Sequence, residues 1–366
     1  MVVFNVLEEV VKDTLTFAKA LPIHRPKLTV LDYLGGDLSR PLEDFECKTL
    51  FKPIEKGEVT YRRVIGLDAS STSVSTYGIE LAAAAGTIYW GQCIYYPRIS
   101  LRDLPIPFIS YLGDKEGLPG VTTSYIKLGI KYREDKALPE GALEHDVRIS
   151  METYLMALSK RVFRETIILI DGPIYYPIYH SENLRSRWND ELHKLNEERV
   201  KMFKELTEEG FIPLAIVKRI ETSKYLPTKY FGKDRDVNVL NRYLIKLRPP
   251  HKPLRTPFFI YEKAHLGPDR VFTYVAIPRS VVKGSYGIFR IEMLKETYES
   301  IKPKSLSELI AFLTYSSLNN RFLIPIKLLE ADRISKSLVR MLKNYIIKRF
   351  EFYGLSVPYE LRGEMK

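Results

Sequence analysis

The sequence predicts an α/β protein, a mixed sheet flanked by helices, on three observations. Val64–Leu67 and Thr166–Ile170 are short apolar runs rich in β-branched residues, each closed by a carboxylate, Asp68 and Asp171. Residues 63–96 read as three short strands joined by tight turns, an antiparallel meander. Beyond them, helical and strand periodicities alternate. A bare buried carboxylate costs several kcal/mol, about 3 or more, unless something pairs with it. What Asp68 pairs with is therefore the question for the rest of the chain.

At 366 residues the chain can bury a core without staples. Its two cysteines, Cys47 and Cys93, rule out a disulfide framework and a cysteine-built zinc site. No apolar run approaches the roughly 20 residues that span a bilayer. Residues 1–19 carry Glu8, Glu9 and Asp13 and lack the layout of a signal peptide, so an intracellular, cytoplasmic protein is expected. A net charge of +11 points to an anionic partner, most commonly nucleic acid. A surface rich in Lys, Arg and Glu gives the same balance without one.

Val6 to Ala20 has helical spacing, and the Pro-punctuated stretch after it reads as an arm, so residues 1–59 form an N-terminal helix and arm. The meander follows: a strand reaching Asp68 near its C-terminal end, Ser75–Leu81, a turn at Ala84-Ala85-Gly86, and Thr87–Tyr96. Residues 97–146, rich in Pro and Gly, read as an insertion. Arg148–Arg164 is helical, and Glu152 lies against its apolar stripe, with Leu155 and Met156 as neighbours. Glu144, Asp146 and Glu165 compete with Glu152 but lie off the stripe.

The Asp171 strand, wholly apolar, suits the sheet centre. Asp before Gly172-Pro173 is also ordinary turn chemistry. Ser181–Glu209 is a charged helix stopped by Gly210, and Phe211–Val217 a strand with Lys218 at its end. Residues 221–270 read as a second, basic, loop-rich insertion whose Tyr225, Tyr230, Phe231, Tyr243 and Phe258 suit either base stacking or packing. Tyr175, Tyr176 and Tyr179 carry the same two readings. Strands at Val271–Ile277 and Gly287–Met293, a helix at Ser305–Thr314 capped by Ser305, and a long helix from Ile326 to Phe350 complete the chain.

This order is the connectivity of an RNase H-like fold, whose first and fourth strands lie side by side and would aim Asp68 and Asp171 into one cleft. Two carboxylates about 4 Å apart repel by roughly 4 kcal/mol, which a proton or a divalent cation relieves. Oxygen donors without Cys or clustered His select Mg²⁺ or Mn²⁺ over zinc.

Ile65-Gly66-Leu67-Asp68-Ala69-Ser70, Ile168-Leu169-Ile170-Asp171-Gly172, Ala215-Ile216-Val217-Lys218-Arg219 and Leu323-Ile324-Pro325 with Glu330-Ala331-Asp332-Arg333 resemble the NurA family of archaeal DNA end-resection nucleases. The resemblance covers about residues 60–345 and implies a nuclease domain over 60–350. It also implies a Mn²⁺-dependent activity, with two ions, that degrades single strands and resects duplex ends 5′ to 3′. Homodimers working with a HerA-type hexameric translocase are implied as well. Asp68, Glu152 and Asp171 would hold the metal, Asp332 or its neighbour Glu330 would add a further acid, and Lys218 would contact phosphate. The alternative is a non-catalytic DNA clamp or adaptor that keeps the fold and docks a translocase.

Overall fold

In the computed structural model, residues 38–354 are described, apart from 45, 47–48, 58–62, 77–78, 97–108, 114–129, 133–140, 177–186, 247–251, 263–266, 280–285 and 318–322. The amphipathic stretch expected at 6–20 lies outside the described residues. In chain order the strands are β1 (Ser39–Pro41), β2 (Lys52–Pro53), β3 (Val64–Thr76), β4 (Ile79–Tyr89), β5 (Cys93–Tyr96), β6 (Ile109–Gly113) and β7 (Ile130–Tyr132). Helix α1 (Ala142–Val162), β8 (Ile167–Asp171), α2 (Arg187–Glu208) and β9 (Ile212–Val217) follow. Next come α3 (Thr228–Phe231), α4 (Asp236–Lys246), β10 (Leu254–Arg255), β11 (Phe259–Tyr261), β12 (Arg270–Pro278) and β13 (Tyr286–Leu294). Three helices close the chain, α5 (Lys295–Ser300), α6 (Pro303–Ser317) and α7 (Ile326–Phe352).

All strands join one sheet, with the order β1-β11-β12-β13-β9-β8-β3-β4-β6-β7 along its main path. At the centre β3 pairs parallel with β8, and β8 parallel with β9, while β4 runs antiparallel to β3. That is the RNase H-like connectivity expected from the sequence, in a mixed α/β sheet flanked by helices. The parallel register, Leu67 opposite Ile170, brings the next residues, Asp68 and Asp171, to the same level.

Strand parity sorts the two faces. Ile65, Leu67, Ala69, Ile168 and Ile170 pack with α1 and α2. Val64, Ile167, Leu169, Leu214 and Ile216 pack with α6 and with Leu328 of α7. Asp68 and Asp171 share the parity of the second set, so the sequence aims both at the α7 face.

Several boundaries differ from the sequence reading. Asp68 lies inside β3, which continues to Thr76 along β4. Ala84-Ala85-Gly86 is the middle of β4 and not a turn. Its small residues admit α1: a Cβ on Gly86 would lie 2.5 Å from Leu155 Cδ1. Ser305 is interior to α6, which starts at Pro303, so it does not cap that helix.

The two stretches read as insertions carry more structure than expected. The first contributes β6, β7 and the first turn of α1. The second contributes α3, α4, β10 and β11, and its aromatics pack: Phe258 and Phe259 are buried, and Tyr225, Phe231 and Tyr243 lie against a core with Val239 and Phe272. Three of its cations are paired, Arg242 with Asp234 at 2.9 Å, Lys252 with Glu55 at 3.1 Å and Arg255 with Glu43 at 2.9 Å.

Candidate active site and metal centre

The site begins with a glycine. A Cβ on Gly66 would sit 2.2 Å from the Lys327 carbonyl oxygen, so only a bare backbone lets the first turn of α7 press against β3. That approach carries Asp332 and Ser335, in the next turns of α7, over the carboxylates of the two central strands.

Oxygens of Asp68, Asp171 and Asp332 lie within 4.8 Å of one another. Asp68 is buried, and Asp171 and Asp332 are partly exposed to a cleft of about 800 Å³. Ser335 donates a short hydrogen bond to Asp68, and its Oγ lies 2.9 Å from that of Ser70. Lys218, at the end of β9, places Nζ 2.8 Å from Asp171 and 3.3 Å from Asp332. Lys336 adds a contact of 2.7 Å to the other Asp332 oxygen. The Gly172 amide donates to Asp171 at 3.0 Å.

Burial, and then the adjacent Asp171, push the Asp68 carboxyl well above the usual range, against the pull of Lys218 and Ser335. Burial also works against Asp332, but Lys336 and Lys218 hold that carboxyl below its ordinary value. Lys218 is held above its ordinary value by Asp171 and Asp68 although burial opposes its charge. Three hard carboxylates have two lysines between them, Lys218 on Asp171 and Asp332 and Lys336 on Asp332, with neither His nor Cys in the group. That donor set fits a divalent cation of the Mg²⁺ or Mn²⁺ type.

Of the residues predicted from sequence, the structure brings together Asp68, Asp171, Lys218 and Asp332. Between the two late acids, Asp332 joins the cluster, while Glu330 pairs with Arg333 at 3.1 Å. Glu152 stands apart. It lines the same cleft, but α1 lies on the opposite face of the sheet from α7. Its carboxylate is buried and engaged, 2.6 Å from Arg199 Nη1, 3.1 Å from the Tyr176 hydroxyl and 3.9 Å from Arg148. Burial raises its pKa, opposed by Arg199 and Arg148.

Sequence reasoning missed Arg199 and Ser335. Arg199 belongs to the helix read as charged, yet it is fully buried and also donates to the carbonyls of Pro173, at 3.1 Å, and Asp171, at 3.4 Å. The signal was there: Leu192, Leu195, Phe203 and Leu206 form an apolar stripe, and Arg199 stands in it. Ser335 lies one helical turn beyond Asp332, which marks its face but not its role. Tyr175 and Tyr176, read as packing or base stacking, are buried packing residues; Tyr179 lies outside the described residues.

A family model described as the NurA domain matches residues 62–337. The chain belongs to the NurA family. The match starts just before β3 and ends within α7, enclosing every residue of the cluster. The solved NurA nuclease from Sulfolobus solfataricus is 15% identical over 86% of this chain and 88% of its own, with a TM-score of 0.47. A structure of NurA with manganese is 12% identical over 81% of this chain and 91% of its own, with a TM-score of 0.45. One of NurA bound to dAMP and manganese is 11% identical over 77% and 86%, with a TM-score of 0.43. No curated protein sequence matches the chain. Among the described residues, no helix is long and apolar enough to cross a membrane.

Proposed function

We propose that this NurA-family chain is a metal-dependent deoxyribonuclease. It hydrolyses phosphodiesters of single-stranded DNA and resects double-strand break ends 5′ to 3′, as a cytoplasmic homodimer working with a HerA-type hexameric translocase. The observation that carries the reading is the convergence of Asp68, Asp171 and Asp332, from two central strands and the last helix, at the wall of an open cleft. A protein that only gripped phosphates would gain nothing from three acids facing the strand.

Asp68, Asp171 and Asp332 would hold Mn²⁺ or Mg²⁺, as one ion or a pair. A cation held there would lower the pKa of a bound water toward neutrality and offset charge on the phosphodiester. The protein's own parts are distinct. Ser335 fixes the Asp68 rotamer, and the Gly172 amide fixes that of Asp171. Lys218 supplies an ammonium beside two of the acids, where it can neutralise a phosphate oxygen. Arg199 anchors the backbone after Asp171 and, with Tyr176, holds Glu152 at the edge of the site.

One observation favours a second reading, a non-catalytic clamp: Lys218 already occupies the space between Asp171 and Asp332. End-labelled single-stranded and duplex DNA, incubated with wild type and Asp171→Asn in Mn²⁺, Mg²⁺ or EDTA, separates the two. Cleavage by wild type that needs the cation and fails in the variant supports the nuclease. Intact but bound DNA in every lane supports the clamp, and cleavage by the variant refutes this site.

A further inference from the structure

The two walls of the cleft are not alike. On the side of β3 and α1, the lining carries Ser70, Ser71, Glu144 and Tyr176, and its one cation, Arg148, faces Glu152. On the side of β9, β12, β13 and α7 stand Arg219, Arg279, Lys336 and Arg340. Arg219, Arg279 and Arg340 are exposed and have no acid partner among the described residues, unlike Arg242, Lys252 and Arg255. Asp332, Lys336 and Arg340 follow one another at i, i+4 and i+8, so one stripe of α7 leads from the acid cluster out along the cations.

Between these cations the same wall is apolar, with Ile288 and Leu323. Leu323 has φ of 56°, in the left-handed region that a branched side chain rarely adopts. It is seated against Gly287, where a Cβ would come within 2.5 Å of Leu323 Cδ1. Leu323 packs on the core with Phe289 and Leu328 yet still lines the cleft, which sets a strained apolar side chain beside the row of cations. Duplex DNA hides its base faces, whereas an unpaired strand offers phosphates and bare bases side by side.

We infer that this wall is the track for an unpaired strand: Arg219, Arg279, Lys336 and Arg340 take its phosphates, and Leu323 meets a base face near the cleaved phosphodiester. The inference rests on the nuclease reading for its orientation toward the acids, but it concerns binding alone. The opposite wall then has no phosphate-holding role, and the strand enters the site from the α7 side.

The test is fluorescence anisotropy of a labelled 20-mer of thymidylate in EDTA, with the full chain, titrated with salt. Each phosphate contact on a single strand contributes about 0.7 to the slope of log affinity against log salt. Arg279→Ala/Arg340→Ala is expected to lower that slope by about 1.4 and, near 0.1 M salt, to weaken binding roughly 25-fold. Arg333→Ala, on a cation of α7 paired with Glu330, is expected to change neither. Leu323→Gly relaxes the backbone but also removes packing against Gly287 and the core beside it, so a melting curve on the same preparation separates loss of fold from loss of contact. This variant is expected to weaken the single strand several-fold with an unchanged slope and to leave blunt duplex binding as it was. An unchanged slope in the double variant overturns the track, as does equal loss of single strand and duplex in Leu323→Gly. Because these readings need no metal, changed slopes with no cleavage in Mn²⁺ would refute the nuclease and leave the track standing. Cleavage with unchanged slopes would refute the track alone.

Discussion

Two groups of acids sit around this one sheet, and the fold treats them in opposite ways. On the β12–β13 side, Asp236 accepts from the Tyr225 and Leu226 amides at 2.8 and 2.9 Å and from the Ser223 and Tyr274 hydroxyls. Beside it Glu292 takes Arg290 Nε at 2.7 Å and the Ile174 amide at 3.0 Å. Although burial opposes it, Arg290 and Arg270 hold the Glu292 carboxyl below its usual range. Every acid there has a partner suited to its charge. At the β3–β8 centre, three acids divide between them one shared lysine, one further lysine and a serine, and Asp68 is driven upward. Satisfied acids hold a structure together; acids left short of cations are kept for something that binds.

The largest effect separates the two groups by activity. Asp68→Asn or Asp171→Asn is expected to reduce cleavage on the order of 10³-fold or more, about 4 kcal/mol of barrier. Metal-free thermal stability should hold or rise, since the Asp68 charge is disfavoured by the fold. Cleavage rates with melting curves on the same preparations check it; lost activity that merely tracks a fall in Tm would dissolve the distinction.

Asp236→Ala should do the reverse. It strands two amides and two hydroxyls in a buried network, and breaking such a network costs about 3–5 kcal/mol. The expected readout is a marked drop in Tm or in the denaturation midpoint. In whatever fraction remains folded, Mn²⁺ affinity should be unchanged.

Cation binding sharpens the contrast further. Mn²⁺ at a hundredfold its Kd should stabilise wild type by about 2.7 kcal/mol, and this gain should vanish in Asp171→Asn. Asp68 must shed its proton to become a ligand, and its pKa lies above the carboxylate norm. The gain should therefore grow as pH rises through the acid range. A Tm shift independent of pH would mean that Asp68 is not a ligand.

The central strands and Asp68 and Asp171 were legible because an apolar run ending in a carboxylate is a local pattern. Lys218 and Asp332 were readable only through their place in the motif order, since nothing local separates them from a surface lysine or a helix-start acid. Glu152 lines the cleft without joining the three-acid cluster, for a physical reason: a stripe position says that a side chain points inward, not which face of the sheet it meets. The Ala84–Gly86 run failed likewise, since small residues serve equally for a turn and for a close helix contact. The 221–270 aromatics show the same limit, because stacking on bases and packing in a core use the same rings.

The smallest effect lies outside both groups, at His145, on α1. Its ring meets that of Tyr176 edge-on at 4.8 Å. Burial, with Arg148 and Arg199 nearby, lowers its pKa from 6.5 to about 3. The unfolded chain therefore binds a proton below pH 6.5 that the folded chain refuses until about pH 3. Stability from this residue is intact above pH 6.5 and declines as the pH falls through that window. At pH 5 the loss is about 2 kcal/mol, from 1.5 units at about 1.36 kcal/mol each. Urea titrations of wild type and His145→Phe at pH 7.5 and pH 5 measure it. The variant should be less sensitive to acid by that amount, a difference carried by one ring and not by the clustered acids. If both proteins lose the same stability, His145 is protonated in the native state and the neighbouring arginines do not exclude its charge.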